Sequence, residues 1–452
     1  MDHLQNVMGY FDQQQPLCAE HDRISKDLYK EFGVKAGLRD ENGKGVLAGL
    51  TNISDIRAFQ YVDGVKKPAD GQLLYRGYDV KDLIRGSSGS RFAFEEAGYL
   101  LLFGELPTQE KLEEFCRVLG ECRTMPTNFT RDVIMKAPSH DIMNSMARSV
   151  LTLASYDPKA GNLEISNVLR QSIQLAGIFP MLAVYSYHAY NHYEKDGSMY
   201  IHRPDPELST AENFLRMLRP DMKYTELEAR VLDVALLLHA EHGGGNNSTF
   251  TTRVMSSADT DPYSVYAAAI CSLKGKKHGG ANHQVRAMQA DIKQHVSNWE
   301  DDDEVADYLA KIVNKQAYDK SGLVYGMGHA VYTLSDPRAI ICKKYAKKLA
   351  EGTEFEAEYR LLESIERLAP EVILRERGTK KDMCANIDMY SGFVYSMMGI
   401  PEDLYTPLFA CARMAGWAAH RFEEIVAGKR IIRPAYKSTR SGSRPYTPIS
   451  ER

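Results

Sequence analysis

The chain is poor in the features that mark secreted, membrane-spanning and nucleic-acid-binding proteins. Its 452 residues include only seven cysteines and two tryptophans. The cysteines are odd in number and scattered, with no C-x-x-C pair, which predicts reduced thiols in a cytosol-like compartment. No apolar run approaches the ~18–20 residues that cross a bilayer, and the N-terminus lacks the basic start and apolar segment of a signal peptide. These absences predict a cytoplasmic protein without a membrane span.

The chain also lacks an excess of either charge. Lys and Arg total 56 against 60 Asp and Glu, so the net charge is −4. This balance argues against a general nucleic-acid-binding protein. Hydrophobic residues make up 44% of the chain, which is enough for a large core, and the length suggests ~2–3 domains.

Helical periodicity dominates what is present, and strand-like alternation is scarce. Apolar residues recur at three- and four-residue spacings in many segments, which predicts an all-α fold. A short β-ribbon is expected only near the N-terminus, from residues 55–65 and 72–75. The clearest helical stretches are residues 109–119, 227–238, 305–312, 339–349 and 355–368.

The first motif that could carry catalytic or binding residues is H-A-E-H-G-G-G-N-N-S at residues 239–248. His239 and His242 are three apart and are predicted to share one helix face. Three interpretations stay open: a metal site, for which a third ligand is missing nearby, a helix-end cap, and substrate contact. The glycines after His242 allow close backbone approach to a ligand, and Asn246 offers polar groups to an anionic or carbonyl oxygen.

Two further histidines lie beside glycines. His278 precedes a glycine pair, which predicts either a helix start facing a ligand or an ordinary turn. His329 lies in Y-G-M-G-H-A-V-Y, whose two glycines lack the spacing and the βαβ context of a dinucleotide-binding loop. Arg338 follows nine residues later and suits bidentate capture of a carboxylate. The alternative for Arg338 is a surface ion pair with Asp336.

Asp388 lies in A-N-I-D-M-Y-S-G between two apolar residues. Partial desolvation there would raise the pKa of the carboxyl and make it a better base, although a helix-capping aspartate is the ordinary alternative. Arg413, on a predicted helix, and Arg433, near the tail, are usual packing residues when taken singly. Together, three imidazoles, a carboxylate and these arginines predict carbon–carbon bond chemistry on a small dicarboxylic keto acid.

These motifs, in this order, resemble the citrate synthase family over roughly residues 37–433. The early stretches L-L-Y-R-G-Y-D-V-K-D-L and E-E-A-G-Y-L-L-L-F-G-E-L-P-T are similar to that family's N-terminal signatures. The segments H-A-E-H-G-G-G-N, K-H-G-G-A-N, G-M-G-H-A-V-Y, S-D-P-R and N-I-D-M-Y-S-G resemble its active-site stretches. Five matches in sequence, with two C-terminal arginines, are specific.

The resemblance implies condensation of acetyl-CoA with oxaloacetate and hydrolysis of the citryl-CoA intermediate. It implies no metal and no permanently bound cofactor, with acetyl-CoA as co-substrate. By position, His278 would donate to the acetyl-CoA carbonyl, Asp388 would remove the methyl proton, and His329 would polarise the oxaloacetate carbonyl. The expected substrate-binding residues are His242, Asn246, Arg338, Arg413 and Arg433.

The resemblance also implies where coenzyme A binds. A loop of six residues would receive the adenine through its backbone, and Lys381 would meet the phosphates. Ala330 and Thr333 depart from the basic residues that some relatives carry, so the phosphate contacts are less well supported. The loop residues are Leu323, Val324, Tyr325, Gly326, Met327 and Gly328.

The implied architecture is a large helical domain and a smaller one that closes over the substrate. The large domain would comprise residues 1–280 and 400–452, ending in a C-terminal arm, and the small domain residues 281–399. A homodimer is expected, with Arg433 reaching the neighbouring active site. No nucleic acid or membrane partner is expected.

Three alternatives remain at this stage. A 2-methylcitrate synthase would use the same condensing residues on propionyl-CoA, and room for one methyl group changes specificity by only ~1–3 kcal/mol. A histidine metallohydrolase and a catalytically silent helical scaffold come from other classes of protein.

Overall fold

The computed structural model describes residues 8–40, 43–378, 383–428, 430–440 and 442–452. It divides into two units: Leu50–Ile432, and a smaller unit of Met1–Gly49 with Arg433–Arg452. The smaller unit carries helices α1 (Met8–His21) and α2 (Lys26–Glu31), neither of which buries a residue. All elements introduced below belong to the larger unit.

The larger unit begins with a three-stranded antiparallel sheet in the order β1–β2–β3. Strand β1 (Ser54–Val62) turns through Asp63 and Gly64, both with positive φ, into β2 (Val65–Tyr75). An Asp-Gly pair of this kind closes a tight hairpin because its backbone twist matches that of the strands. Strand β3 (Tyr78–Asp79) completes the sheet. The expected N-terminal ribbon is confirmed.

Helices make up most of the remaining chain, which confirms the all-α fold class. In chain order the first of them are α3 (Val80–Gly86), α4 (Ala93–Phe103), α5 (Gln109–Glu121), α6 (Ile142–Leu153), α7 (Ile165–Glu194), α8 (Thr210–Leu218), α9 (Glu226–His239) and α10 (Asn247–Ser256).

A second group of helices follows, and all five predicted helical stretches fall on observed helices of the two groups. Among the described residues, no helix is long and apolar enough to cross a membrane. The second group comprises α11 (Pro262–Leu273), α12 (Ala281–His295), α13 (Asp302–Val313), α14 (Pro337–Ala350), α15 (Glu356–Arg377), α16 (Asp388–Met397) and α17 (Tyr405–Ala427).

Local sequence explains where several of these helices begin. Thr225 precedes α9 and forms a reciprocal capping box with Glu228, which satisfies two otherwise unpaired backbone N–H groups. Asp336 precedes α14, accepts the backbone N–H of Arg338 and is followed by Pro337, whose fixed φ suits a first helical position. The start of α14, and with it Arg338, is therefore set by the S-D-P-R motif.

Helix α17 lies at the centre of the core and packs against α4, α7, α9, α10 and α11. Its residues Tyr405–Arg421 are almost all buried, and they include the fully buried Trp417 and the buried Arg413. A guanidinium group in this position needs partners, because an isolated buried charge is costly. Helix α17 therefore holds the charged guanidinium group of Arg413 in the interior of the larger unit.

Candidate active site

His242 lies in the loop between α9 and α10. Helix α9 ends at His239 and is capped by Ala240, so the prediction that His239 and His242 share a helix face was wrong. Gly243 has φ +85°, and a Cβ on it would lie 2.9 Å from Ile56 Cδ1. Only glycine fits both the conformation and the space, and this turn places His242 beyond the helix end.

The structure separates the roles of these two histidines. Nδ1 of His239 bonds the carbonyl of Ala235 at 2.8 Å, and the ring packs on Phe409. Burial lowers the pKa of His239 to about 3. It is a buried structural histidine. In contrast, Nε2 of His242 is buried and has no hydrogen-bond partner among the described residues. A polar atom left in that state is available to a ligand.

His242 and His329 meet at the site although they are far apart in sequence. Their ring centroids are 5.1 Å apart, and the Tyr332 ring lies 5.8 Å from His242 and stacks on His329 at 4.7 Å. Burial, followed by the nearby charge of Arg338, lowers the pKa of both imidazoles, that of His329 to about 4. Both rings are therefore neutral at pH 7.

The backbone fixes the tautomer of His329. Nδ1 accepts the N–H groups of Val331 at 3.1 Å and Tyr332 at 3.2 Å. A nitrogen that accepts must carry a lone pair, so the proton of the neutral ring resides on Nε2. Nε2 lies 3.4 Å from an amino nitrogen of Arg338, which is also a donor, so that contact is not a hydrogen bond. His329 thus offers an N–H donor through Nε2.

His278 has the opposite arrangement. Its Nε2 accepts the backbone N–H of Ser248 at 3.3 Å and lies 3.0 Å from Ser248 Oγ. Burial, with a contribution from Arg413, lowers the pKa of His278 to about 4. The neutral ring therefore carries its proton on Nδ1, for which the described residues provide no acceptor. Both features expected around His278 are present, since His278 lies in a turn and α12 begins just after it at Ala281, while a ligand at this helix start stays a prediction.

Arg338 forms a buried ion pair rather than the surface pair considered from the sequence. Its Nε lies 3.1 Å from Asp336 Oδ1, and one amino nitrogen lies 2.7 Å from Oδ2. Arg338 is 5% exposed and Asp336 1%. Burial favours the neutral guanidine, but the Asp336 carboxylate raises the pKa of Arg338 overall. This pair uses one edge of the guanidinium and leaves its other edge for a second carboxylate.

Arg413 approaches the site from α17. Its Nε donates to the carbonyl of His239 at 2.8 Å, and its guanidinium lies over the Phe409 ring, 4.7 Å from the centroid. Burial lowers its pKa to about 10, so the group remains charged at neutral pH. Its two amino nitrogens have no partner in the described part of the chain, which leaves them free to bind an anion.

Asp388 is the first residue of α16 and is not its cap, since the cap position belongs to Ile387. Its carboxylate accepts no hydrogen bond from the described residues. Burial raises the pKa of Asp388 to about 6, while the charge of Arg338 opposes the shift and that of Asp336 adds to it. The carboxyl is therefore a stronger base than an ordinary aspartate and is still mostly ionised at pH 7.

Asn386 ties the Asp388 helix to the loop that carries His329. Its Oδ1 accepts the N–H of Asp388 at 3.0 Å, and its Nδ2 donates to the carbonyl of Gly328 at 2.9 Å. Backbone bonds from Gly328 to Cys384 and from Asn386 to Gly326 extend this pairing. Two sequence motifs separated by more than fifty residues are thereby held as one short antiparallel bridge.

Sequence reasoning did not single out Ser248, Asn386 or Phe409. Ser248 and Asn386 lie inside motifs that were quoted for their histidine and aspartate, so their neighbourhood was the available signal. Phe409 had none, because an apolar residue on a core helix is ordinary. Only the fold shows it between His239, His278 and Arg413.

Three further residues were predicted to contact the substrates, and the structure assigns a local role to one of them. Asn246 caps α10: its side chain accepts the N–H of Thr249 and donates to the carbonyl of Gly243. Arg433 belongs to the smaller unit, and Lys381 lies outside the described residues, so both stay predictions.

In the loop predicted to receive coenzyme A, the amides of Leu323, Met327 and Gly328 already donate within the protein, while Leu323 is half-exposed. Val324 is buried, and Tyr325 and Gly326 complete the turn. Among the described residues, no group of three His, Cys, Asp or Glu side chains is arranged to hold a metal ion.

Fold and site together define an all-α enzyme in which neutral imidazoles and buried guanidinium groups lie close together. The family model described as citrate synthase, C-terminal domain, matches residues 38–435. A citrate synthase of Haloferax volcanii is 34% identical over 93% of this chain and 99% of its own length. A 2-methylcitrate synthase of Shewanella oneidensis is 33% identical over 84% of this chain and 92% of its own.

A solved citrate synthase of Thermoplasma acidophilum, in complex with carboxymethyl coenzyme A and oxaloacetate, superposes with a TM-score of 0.74. It is 28% identical and covers 92% of this chain and 99% of its own. The chain belongs to the citrate synthase family and is an acyltransferase of that type.

Proposed function

We propose that this protein condenses acetyl-CoA with oxaloacetate and hydrolyses the resulting citryl-CoA to citrate and CoA. The observation that carries the proposal is the pair of neutral histidines with opposite tautomers. His278 offers Nδ1–H and His329 offers Nε2–H. A Claisen-type condensation needs two such donors, one for the thioester oxygen and one for the keto oxygen.

The first step is removal of a methyl proton from acetyl-CoA. Asp388 takes the proton, the C–H electron pair moves into the enolate, and the Asp388 carboxyl becomes neutral. A thioester methyl is a very weak acid, so the carboxylate succeeds only if the enolate oxygen is stabilised as its charge develops. The Nδ1–H of His278 would supply that stabilisation, and its low pKa keeps the donor neutral.

The second step joins the two carbons. The enolate carbon attacks the keto carbon of oxaloacetate, and the electron pair of that carbonyl moves onto its oxygen, toward Nε2–H of His329. Arg338 and Arg413 would bind the two carboxylates of oxaloacetate, since each keeps guanidinium nitrogens free. His242, with its unpaired Nε2, would add a further contact.

The third step is hydrolysis of the thioester. Water adds to the citryl-CoA carbonyl, the C–S bond breaks, and CoA leaves as the thiol while citrate gains its third carboxylate. Water must stay out until condensation is complete. We propose that closure of a small lobe, residues 281–399, over the rest of the chain achieves this, because the lobe holds His329, Arg338 and Asp388 while His242 and Arg413 lie outside it.

A thiol-release assay with oxaloacetate tests the reaction, and Asp388→Ala tests the base. We expect the variant to fold and to lose at least about 10³-fold in kcat, in the range seen when an acid–base group is removed. Asp302→Ala is the matched control, because Asp302 is also the first residue of a helix but pairs with the exposed Arg367. An active Asp388→Ala enzyme would overturn the assignment of the base.

A 2-methylcitrate synthase is the second candidate, supported by the similarity to the Shewanella oneidensis enzyme of that name. The condensing residues would be unchanged, and only the space for one methyl group differs. Parallel kcat/KM values for acetyl-CoA and propionyl-CoA decide between them. A ratio above one for propionyl-CoA would replace the proposed substrate.

We also propose a cytoplasmic homodimer in which Arg433 completes the partner's active site. The cysteine usage and the resemblance support this proposal. Arg433→Ala mixed with Arg413→Ala gives a direct test. If the arginine acts across the dimer, mixed dimers regain one intact site, whereas an arginine acting within its own chain restores nothing.

A further inference from the structure

A second cavity, of about 940 Å³, lies away from the catalytic residues. One wall is α3 with the loop that follows it, the second is the first turn of α9, and the third is the middle of α14. Along α9, the ten residues from Arg230 to His239 span nine helical rises, roughly 14 Å, between this cavity and the loop that carries His242. None of the proposed catalytic or substrate-binding residues lines it.

The charge of the lining is opposite to that of the whole chain. Six cationic side chains face two acidic ones, although the net charge of the protein is −4. Clustered like charges repel one another and destabilise the empty site, so such a cluster favours an anionic occupant. The cations are Lys81, Arg85, Arg91, Arg230, Lys344 and Lys348.

Two of these cations already form ion pairs within the protein. Arg230 pairs with Asp233 at 3.1 Å and donates to the carbonyl of Ile84 at 3.1 Å, which joins α9 to α3. Arg91 pairs with Glu212 at 3.4 Å. Both guanidinium groups are therefore held by contacts within the protein and are less available to a ligand.

Three lysines remain without an ion pair. Lys81 stands on the α3 side, and Lys344 and Lys348 stand one turn apart on α14. The described residues offer none of them a carboxylate partner. Arg85 pairs only with Asp82, and both are exposed, so a ligand can compete for that guanidinium at little cost. The free positive charge therefore lies on two facing walls.

Apolar groups separate the charged walls. Ile84 is buried at the base, and Tyr345 and Ile341 are half-buried beside it. A ligand with anionic groups and a small organic body would meet complementary surfaces on each side.

We propose that this cavity binds a small polyanion, with its anionic groups on Lys81 of α3 and Lys344 of α14. Phosphate and carboxylate compounds share the chemistry that these amines recognise. None of the proposed catalytic or substrate-binding residues is needed for this contact, and its occupancy can be measured without substrates.

The test is isothermal titration calorimetry on the full chain with inorganic tripolyphosphate and, separately, with tricarballylate. We expect one equivalent of at least one probe to bind. In the double variant Lys81→Gln/Lys344→Gln, affinity should fall at least tenfold. The matched control is Lys347→Gln, because Lys347 is an exposed lysine of the same helix that does not line the cavity.

A further variant tests whether negative charge in the lining weakens anion binding. Glu226 is one of the two acids in the lining, so Glu226→Gln should tighten binding about two- to threefold by removing like-charge repulsion. Stronger binding of tripolyphosphate would assign phosphate ligands, and stronger binding of tricarballylate would assign carboxylates. Failure of both probes to bind at millimolar concentration, or equal losses in the double variant and Lys347→Gln, would overturn the proposal.

Discussion

His278 and His329 are alike in burial and pKa, but the protein hydrogen-bonds a different ring nitrogen in each. Both rings are half-buried, and burial lowers the pKa of each to about 4. Around His278, the start of α10 supplies a backbone N–H to Nε2, whereas around His329 the chain turns back and supplies two N–H groups to Nδ1. The protein therefore leaves one ring nitrogen free by occupying the other, and it does so with backbone N–H groups that only a substitution to proline would remove.

Within the comparison of the two histidines, the largest effect is expected from removing either donor. His278→Ala and His329→Ala should each lower kcat/KM by about 10²–10³-fold, as seen when a single donor to a developing oxyanion is lost. The thiol-release assay measures the loss, and circular dichroism checks folding. If His239→Ala, which removes the buried structural histidine, caused an equal loss with its fold intact, the distinction between the histidines would fail.

The pH dependence of kcat/KM tests the ionisation of Asp388, in a range where both histidines are neutral. Asp388 must be ionised to act as a base, and burial raises its pKa to about 6, so kcat/KM should fall toward tenfold per unit as pH drops below about 6. Both histidines stay neutral in that range because their pKa values lie lower. The limb should reflect a single ionisation. An acid limb centred below pH 4.5 would contradict the raised pKa of Asp388.

Amide substitutions test the opposite tautomers directly. The N–H donors of a glutamine side chain reach the position of Nε2, and those of asparagine the position of Nδ1. His329→Gln should therefore retain about tenfold more activity than His329→Asn, and His278→Asn about tenfold more than His278→Gln. The measured quantity is the activity of the Gln variant divided by that of the Asn variant, compared between His329 and His278. The same preferred amide at both positions would disprove the assignment of the tautomers.

The smallest effect is expected from Ser248→Ala. The hydroxyl lies 3.0 Å from Nε2 of His278, but the backbone N–H remains in the variant. A lost hydrogen bond is worth about 0.5–1.5 kcal/mol, which corresponds to about 2–10-fold in kcat. Thr251→Ala on the same helix should leave activity unchanged, because its hydroxyl bonds only the carbonyl of Asn247. A loss above 100-fold would mean that the hydroxyl holds His278 in place.

Much of the helical frame could be predicted from periodicity. The stretch 109–119 became Gln109–Glu121, and 305–312 became Asp302–Val313, because amphipathic spacing and capping residues act over a few neighbours. The end of α9 could not be predicted in this way. Glu241 leaves the helix for partners distant in sequence, its carboxylate accepting from Ser54 and contacting His420. Such tertiary contacts override local preference.

The sequence by itself determined the helical class of the fold, the family to which the chain belongs, and the side chains that we predict to carry the chemistry. Those properties depend on residue type and short spacing. The tertiary structure alone decided which nitrogen of each histidine is free, which edge of Arg338 is occupied, and that unpaired lysines of α3 and α14 line one cavity. Hydrogen-bond direction, burial and charge proximity are properties of positions in space, and residues distant along the chain acquire them only after packing.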